Sequence, residues 1–468
     1  MLTRNMSRIV WGWLIVYVAL LAATLENTQP YHGDESYYMV SAIEMMRSGD
    51  ALTPVYFGQF RFQKPILAYW MTAIGYHVFG IDLWSGRIAF LAAACGLLAV
   101  TYFFADLLYH DRRIAWLCVL MLASSTLFIE YARVSMTDMP LALFTALGLY
   151  WFCKALAATD PRRAAPQYIM AVAAVGMACA VKGIWGMPAL LAMPAYLLAA
   201  RPPHFKRSLA QLAHPLALLL FAACAAGWYL YAYAAHPDEM LRQFQTESSA
   251  NIGFGLAPIF GRLFFYLRVL LTAYLPFTAL AAYLCVKKRL APPAALQPVA
   301  WQAGLLLLFC VVVVSEQRSR YMLAMFPAVT LLIASPIARS GLTALASKIA
   351  VAWAALQLLV FVCYPLISGE PLRELARCWE RELRGDVAAY KLPERETGWL
   401  QALTHGRLRE YRGGADYVIL EEKHAADFER GELIRRAAKL HRVTFEHFRL
   451  VKTYKTYLLI KPSKTNLR

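Results

Sequence analysis

The residues that could do chemistry in this chain are few and separated. Two acids stand side by side in Tyr31-His32-Gly33-Asp34-Glu35-Ser36-Tyr37-Tyr38, directly after the first long apolar run. A third, Asp138, lies in Met136-Thr137-Asp138-Met139-Pro140. Cations recur as Lys64 in Arg61-Phe62-Gln63-Lys64-Pro65, Lys182 in Ala180-Val181-Lys182-Gly183, and Arg318 and Arg320 in Arg318-Ser319-Arg320-Tyr321. A positioned carboxylate accepts a proton from a hydroxyl, while ammonium and guanidinium groups stabilise the charge on a departing phosphate. Each residue also has a local reading. Gly-Asp-Glu-Ser ahead of a helix is an N-terminal capping signal, and a single loop cation is ordinarily just solvated. Asp138 fits capping less well, because Pro140 biases Met139 away from helical geometry. Adjacent residues on a helix point about 100° apart, so Asp34 and Glu35 cannot serve one atom together. One is expected to face the site and the other to support it. Lys64, ahead of Pro65, is expected to be extended just before a helix that opens on proline, a place that favours anions.

The elements that must position these groups are set by hydropathy. Of 468 residues, 59% are hydrophobic and 16% charged, which excludes an ordinary soluble protein and implies a polytopic α-helical membrane protein. About eleven spans are expected, near 9–25, 84–108, 114–130, 139–157, 168–181, 184–200, 208–233, 263–286, 297–315, 320–335 and 349–367. Beyond 367 the pattern stops. Residues 368–468 read as a small soluble α/β domain, with strand-like Tyr417-Val418-Ile419-Leu420 and Tyr457-Leu458-Leu459-Ile460 around a helical Ala-Arg-Glu-rich stretch. The net charge of +17 flanks the apolar runs, which points to membrane lipids and away from nucleic acid. The nine cysteines lack CxxC or Cys/His spacing, so no metal site is implied; Cys363 and Cys378 are the pair that could meet.

With Arg4 and Arg8 cytoplasmic, the clusters Arg112-Arg113, Lys154 with Arg162-Arg163, Arg201 with Lys206-Arg207, Lys287-Lys288-Arg289, and Arg339 with Lys348 all fall on the same side. The C-terminal domain then lies outside. So do segments 26–83, 130–139 and 234–262. In the first, Tyr38, Met39, Ala42, Met45 and Met46 share one helical face and Ser41, Glu44 and Ser48 the other, which predicts an interfacial amphipathic helix. A second short aromatic helix is expected from Ile66-Leu67-Ala68-Tyr69-Trp70 onward. Lys64, Lys182, Arg318 and Arg320 break the charge rule on this outer face, and the acids converge there. Cations for a phosphate and a carboxylate for a hydroxyl, both at the outer interface, describe group transfer from a lipid-linked phosphate donor.

The order of these strings resembles the membrane glycosyltransferases of GT-C type, in the branch of protein O-mannosyltransferases and the aminoarabinose transferases that modify lipid A. The resemblance rests on Gly33-Asp34-Glu35-Ser36-Tyr37-Tyr38 and on Arg61-Phe62-Gln63-Lys64-Pro65-Ile66-Leu67-Ala68-Tyr69-Trp70. It continues through Ala132-Arg133-Val134-Ser135-Met136-Thr137-Asp138-Met139-Pro140, Ala180-Val181-Lys182-Gly183, and Arg318-Ser319-Arg320-Tyr321-Met322-Leu323-Ala324-Met325-Phe326-Pro327-Ala328. It implies a GT-C transmembrane domain over 1–367, with interfacial helices and the catalytic acid in 26–83, and a periplasmic α/β domain over 368–468. Asp34 is implied as the essential acid and Asp138 as a second one that helps shape the site. Lys64 is implied as the donor-phosphate residue with Arg320, Arg318 and Lys182, and Glu35, Arg61, Gln63 and Tyr321 as support. The implied substrate is a polyprenyl-phosphate sugar, transferred with inversion to lipid A or another envelope acceptor by a monomer in the bacterial inner membrane, with a cytoplasmic N-terminus. No cofactor is implied, and a divalent metal stays open.

Three features depart from the aminoarabinose pattern. Gln63 replaces the usual Glu, Ser36-Tyr37 replaces the common Ala-Arg, and the chain is shorter. The sugar, the acceptor and any role for position 63 therefore stay open. Two alternatives remain: a protein O-mannosyltransferase-like enzyme on the same residues, and a transporter or flippase for a polyprenyl lipid. The absence of a convincing internal repeat argues against the transporter. His32 is a candidate for tuning Asp34.

Overall fold

The structure, a computed structural model, describes residues 2–26, 34–251, 257–288, 293–368, 371–382, 386–390, 392, 394–410, 417–421, 423, 432–446 and 449–461. Tyr31, His32 and Gly33 lie outside these, as do residues 424–431 of the stretch expected to be helical. Contacts divide the chain into two compact units. The first comprises Met1–Leu21, Phe60–Ala68 and Phe90–Gln357, and the second Ala22–Gln59, Tyr69–Ala89 and Leu358–Arg468.

Seven helices among the described residues are long and apolar enough to cross a membrane. They are Leu83–Tyr109, Asp138–Ala157, Pro161–Ala200, Pro215–Ala235, Ala294–Val312, Ser319–Arg339 and Thr343–Cys363. Pro258–Ala273 and Phe277–Lys287, bent by 102°, make an eighth if taken as one span, and Ile9–Ala23 is apolar but shorter. The architecture is therefore polytopic and helical, as the hydropathy implies, but several expected runs are broken. The run 114–130 is two helices, Arg112–Ala123 and Thr126–Tyr131. Between them the Ser124 hydroxyl donates to Met121 O, and Ser124 O accepts from Gln357 Nε2 at 2.7 Å. The runs 168–181 and 184–200 form one stretch, Pro161–Ala200, interrupted only by the 3-10 turn Gly183–Gly186.

Within the first unit, several polar side chains find partners on neighbouring helices, as an apolar surrounding favours. Tyr17 donates to Ala123 O at 2.6 Å, and the Tyr274 hydroxyl bonds Phe326 O at 3.0 Å and the Thr330 hydroxyl at 2.7 Å.

The second unit is built on a five-stranded sheet in the order Arg409–Glu410, Val387–Tyr390, Tyr417–Glu421, Arg449–Lys461, Glu432–Glu446. The first three strands are parallel and the last two form an antiparallel hairpin. The two strand-like runs pair with each other, Ile419 opposite Leu459 and Leu420 opposite Leu458. The Ala-Arg-Glu-rich stretch, expected to be helical, is a strand from Glu432 onward; its long pairing with Arg449–Lys461 overrides local helix preference. Cys363 and Cys378 are both free.

Hydropathy draws a boundary at 367, but the core of this unit does not follow it. Leu375, Trp379, Val387, Trp399 and Leu400 form one apolar cluster with Met39, Ala42 and Ile43 of the helix Glu35–Ser48, and with Tyr76 and Leu83. Gly398 sits so close to that helix that a Cβ there would lie 2.2 Å from Ser36 Cβ. Glu35–Ser48 is consequently buried on more than one face. Ser41, expected on its polar side, is buried, whereas Met46, expected on its apolar side, is exposed. A half-exposed amphipathic helix is thus corrected to one packed against the helix Glu394–Leu403.

Candidate functional site

In the first unit three of the singled-out charges converge. Asp138 opens the helix Asp138–Ala157, where Pro140 is tolerated because the first helical turn needs no N–H from it. Its carboxylate does no capping. Lys182 Nζ donates to Asp138 Oδ1 at 2.5 Å, and Arg320 Nε stands 3.9 Å from Asp138 Oδ2. All three side chains are buried.

Lys182 is the last residue of the helix Pro161–Lys182, and Gly183 ends that helix with φ +57 and ψ −128, a conformation open to glycine and strained for other residues. The turn that follows brings Trp185 beside Lys182. Lys182 Nζ lies 5.0 Å from the Trp185 ring centre and 4.8 Å from that of Tyr321, and these two rings are 4.2 Å apart. The carboxylate thus hydrogen-bonds one cation and stands close to a second without bonding it, while two aromatic faces line the ammonium, in surroundings where charge interactions are strong.

Arg318 does not join this cluster. It is half exposed and bonded to Glu316 at 2.6 Å, a hydrogen bond that raises its already high pKa.

Lys64 lies elsewhere in the unit, on the segment 60–64. The helix Leu67–Phe79 begins after Pro65 and Ile66, so the proline precedes the helix and does not open it. The ammonium is instead ion-paired with Glu247 of the helix Pro237–Asn251. One turn earlier Gln243 grips the backbone, accepting from Phe62 N–H at 2.7 Å and donating to Phe60 O at 2.6 Å. Gln243 also donates to Glu239, whose carboxyl pKa is lowered by hydrogen bonds from Arg242 and Gln243. Phe62 packs on His236 and Trp228. Arg61 and Gln63 are half-buried on the same segment, and Gln63 Oε1 finds no hydrogen-bond partner among the described residues.

In the second unit Asp34 precedes the helix Glu35–Ser48 without a side-chain cap bond. Glu35 is fully engaged. Arg87 clamps it with Nε to Oε1 and Nη2 to Oε2, each at 2.7 Å, and spends Nη1 on Leu25 O at 2.7 Å. Trp399 Nε1 donates to Glu35 Oε2 at 3.3 Å. Burial, with Glu35 beside it, pushes the Tyr76 phenol far above its ordinary pKa, so Tyr76 stays neutral.

Reading the sequence alone missed Trp185, Gln243, Glu247, Arg87 and Trp399. Trp185 had a signal, three residues after Lys182; Glu239, Gln243 and Glu247 also had one, spaced four apart on a single helix face. Arg87 and Trp399 had none, because their meeting with Glu35 joins residues far apart in the chain.

Residues 63–228 match the family model described as dolichyl-phosphate-mannose-protein mannosyltransferase. An uncharacterized protein of Aquifex aeolicus is 28% identical over 311 residues, covering 64% of this chain and 58% of that protein. The undecaprenyl phosphate-alpha-4-amino-4-deoxy-L-arabinose arabinosyl transferase of Pseudomonas aeruginosa (strain UCBPP-PA14) is 29% identical over 284 residues, 58% of this chain and 49% of that protein. The chain spans about half the length of the named transferases that it matches. The crystal structure of ArnT from Cupriavidus metallidurans bound to undecaprenyl phosphate superposes with a TM-score of 0.69 at 17% identity, over 96% of this chain and 98% of that one. Its apo form gives 0.71 at 16% identity, with the same coverage. The resemblance read from the motifs therefore holds: residues 63–228 match the mannosyltransferase family model, and the chain has the GT-C fold seen in ArnT.

Proposed function

We propose that this protein is an inverting glycosyltransferase that moves a sugar from a polyprenyl-phosphate carrier to a cell-envelope acceptor. Lipid A is the acceptor and 4-amino-4-deoxy-L-arabinose the sugar in the leading form of this reading. The observation that carries it is the accessible ammonium of Lys64 on a segment fixed by Gln243, inside the stretch matched by the family. The buried set of Asp138, Lys182 and Arg320 adds two further cations close to one carboxylate.

In the reaction, an acceptor oxygen attacks the anomeric carbon, the bond from that carbon to the phosphate oxygen breaks, and polyprenyl phosphate leaves with the electron pair. Lys64 and the other cations stabilise the leaving phosphate. Asp34 takes the acceptor's proton if the acceptor is a hydroxyl. A lipid A phosphate is already ionised near neutral pH, and Asp34 then orients the acceptor. Asp138 acts through the two cations it holds.

A protein hydroxyl is the second reading, favoured by the description of the matching family. In either case the enzyme is taken to work as a monomer in the bacterial inner membrane, with its site on the periplasmic face.

The test is purified protein with a polyprenyl-phosphate sugar and candidate acceptors. Asp34→Asn and Lys64→Ala are expected to abolish transfer while the protein still inserts and melts normally. Undiminished turnover in both would sink the reading. Mass spectrometry of lipid A and of envelope glycoproteins from a deletion strain identifies the acceptor by the mass it loses.

A further inference from the structure

The two lysines that the sequence singles out have carboxylate partners of opposite accessibility. Lys182 and Asp138 are 5% and 1% exposed, whereas Lys64 and Glu247 are 25% and 30% exposed. The buried pair is expensive to break, because an isolated charge would be left in an apolar surrounding. The Lys64–Glu247 pair is partly open to its surroundings and is therefore weaker and cheaper to break than the buried one. A strong anion can therefore compete with the carboxylate of Glu247 for the ammonium. The backbone beneath stays put, because Gln243 holds Phe60 and Phe62 through separate hydrogen bonds.

The geometry points to Glu247 as a positioning residue for the donor. Its carboxylate keeps the Lys64 ammonium aimed and occupied until a lipid-linked phosphate displaces it. This rests on the reading of Lys64 given above and adds to it the residue that the phosphate must replace. Holding and aiming are divided on one helix: Gln243 fixes the segment, and Glu247, one turn along, sets the charge state that an incoming anion meets. The ligand class is a polyprenyl monophosphate or its glycosyl ester, recognised by its phosphate oxygens.

The experiment uses the full chain in lipid nanodiscs, with undecaprenyl phosphate as the probe for binding and its sugar ester for kinetics. Glu247→Gln is expected to tighten binding and lower the donor KM by about two- to fivefold, the worth of a half-exposed ion pair, while leaving kcat unraised. Glu247→Ala should move the same way and Glu247→Asp should stay near wild type. The gain should vanish in a Lys64→Ala background and shrink as salt is raised. Gln243→Ala should instead weaken binding.

Unchanged or weaker binding in both Glu247→Gln and Glu247→Ala, with Lys64→Ala still losing it, would overturn the role of Glu247 alone. A gain that persists without Lys64 overturns it as well. No binding by wild type, or full binding by Lys64→Ala, would overturn both this role and the donor site on which it rests.

Discussion

Asp138 carries two cations on one carboxylate, and the cost of disturbing it follows from where it sits. Asn at 138 keeps the shape but removes the charge that Lys182 and Arg320 share, leaving both cations in an apolar surrounding. Breaking a buried pair in this way costs about 3–5 kcal/mol, whereas replacing both partners by apolar groups is often neutral. Asp138→Asn is therefore expected to lower the melting temperature markedly. The triple variant Asp138→Leu, Lys182→Met, Arg320→Met, which removes every charge of the set, should recover most of that stability without recovering transfer. Recovery of activity in the triple variant would show that the set serves structure only. Glu35 differs from its neighbour Asp34 by the same logic: bonded by Arg87 and Trp399, its carboxylate is committed to architecture.

Much of this scale was legible in the chain. Lys182 and Arg320 were singled out as exceptions to the charge rule, Asp138 as an acid on the same face and Tyr321 through the resemblance, and the structure brings the four together. Arg318 was singled out by the same rule and lies apart, because two residues away Glu316 offers a nearer partner. A rule that counts charges by side of the membrane cannot see that local pairing.

At the scale of elements, the informative positions are where helices stop. Gly183 turns the chain between Pro161–Lys182 and the rest of the stretch, and its φ of +57 is what lets Lys182 and Trp185 share one space. Gly183→Ala is expected to cost about 1–3 kcal/mol through backbone strain, with a parallel loss of activity. Differential scanning of the purified variant, paired with a transfer assay, checks both; wild-type melting and turnover would show that the turn tolerates a side chain. Hydropathy located the apolar stretches, but breaks such as Ser124-Ser125 or the 102° bend after Ala273 arise from hydrogen bonds and packing that a sliding average smooths away. The hairpin of Glu432–Glu446 with Arg449–Lys461 shows the converse: tertiary pairing imposes a strand on residues whose local preference is helical.

For the whole molecule, the alternation of basic clusters gives an orientation that can be measured. An alkaline phosphatase fused after residue 468 should be active, and a fusion near the Arg112-Arg113 connection inactive, since that enzyme matures only outside the cytoplasm. The reverse pattern would invert the orientation and put the acids on the other face. The apolar cluster of the last hundred residues includes Met39, Ala42 and Ile43, a sharing of one core that hydropathy does not register.

That shared core sets a timetable for synthesis. Glu35 and Trp399, which end up bonded, are 364 positions apart. At roughly 5–20 residues per second, the helix Glu35–Ser48 must wait on the order of 20–70 s for its partner to leave the ribosome. During that interval its apolar side chains have nothing of their own chain's last segment to bury against. Glu35 therefore acquires its final setting among the last events of folding, however early in the sequence it is encoded.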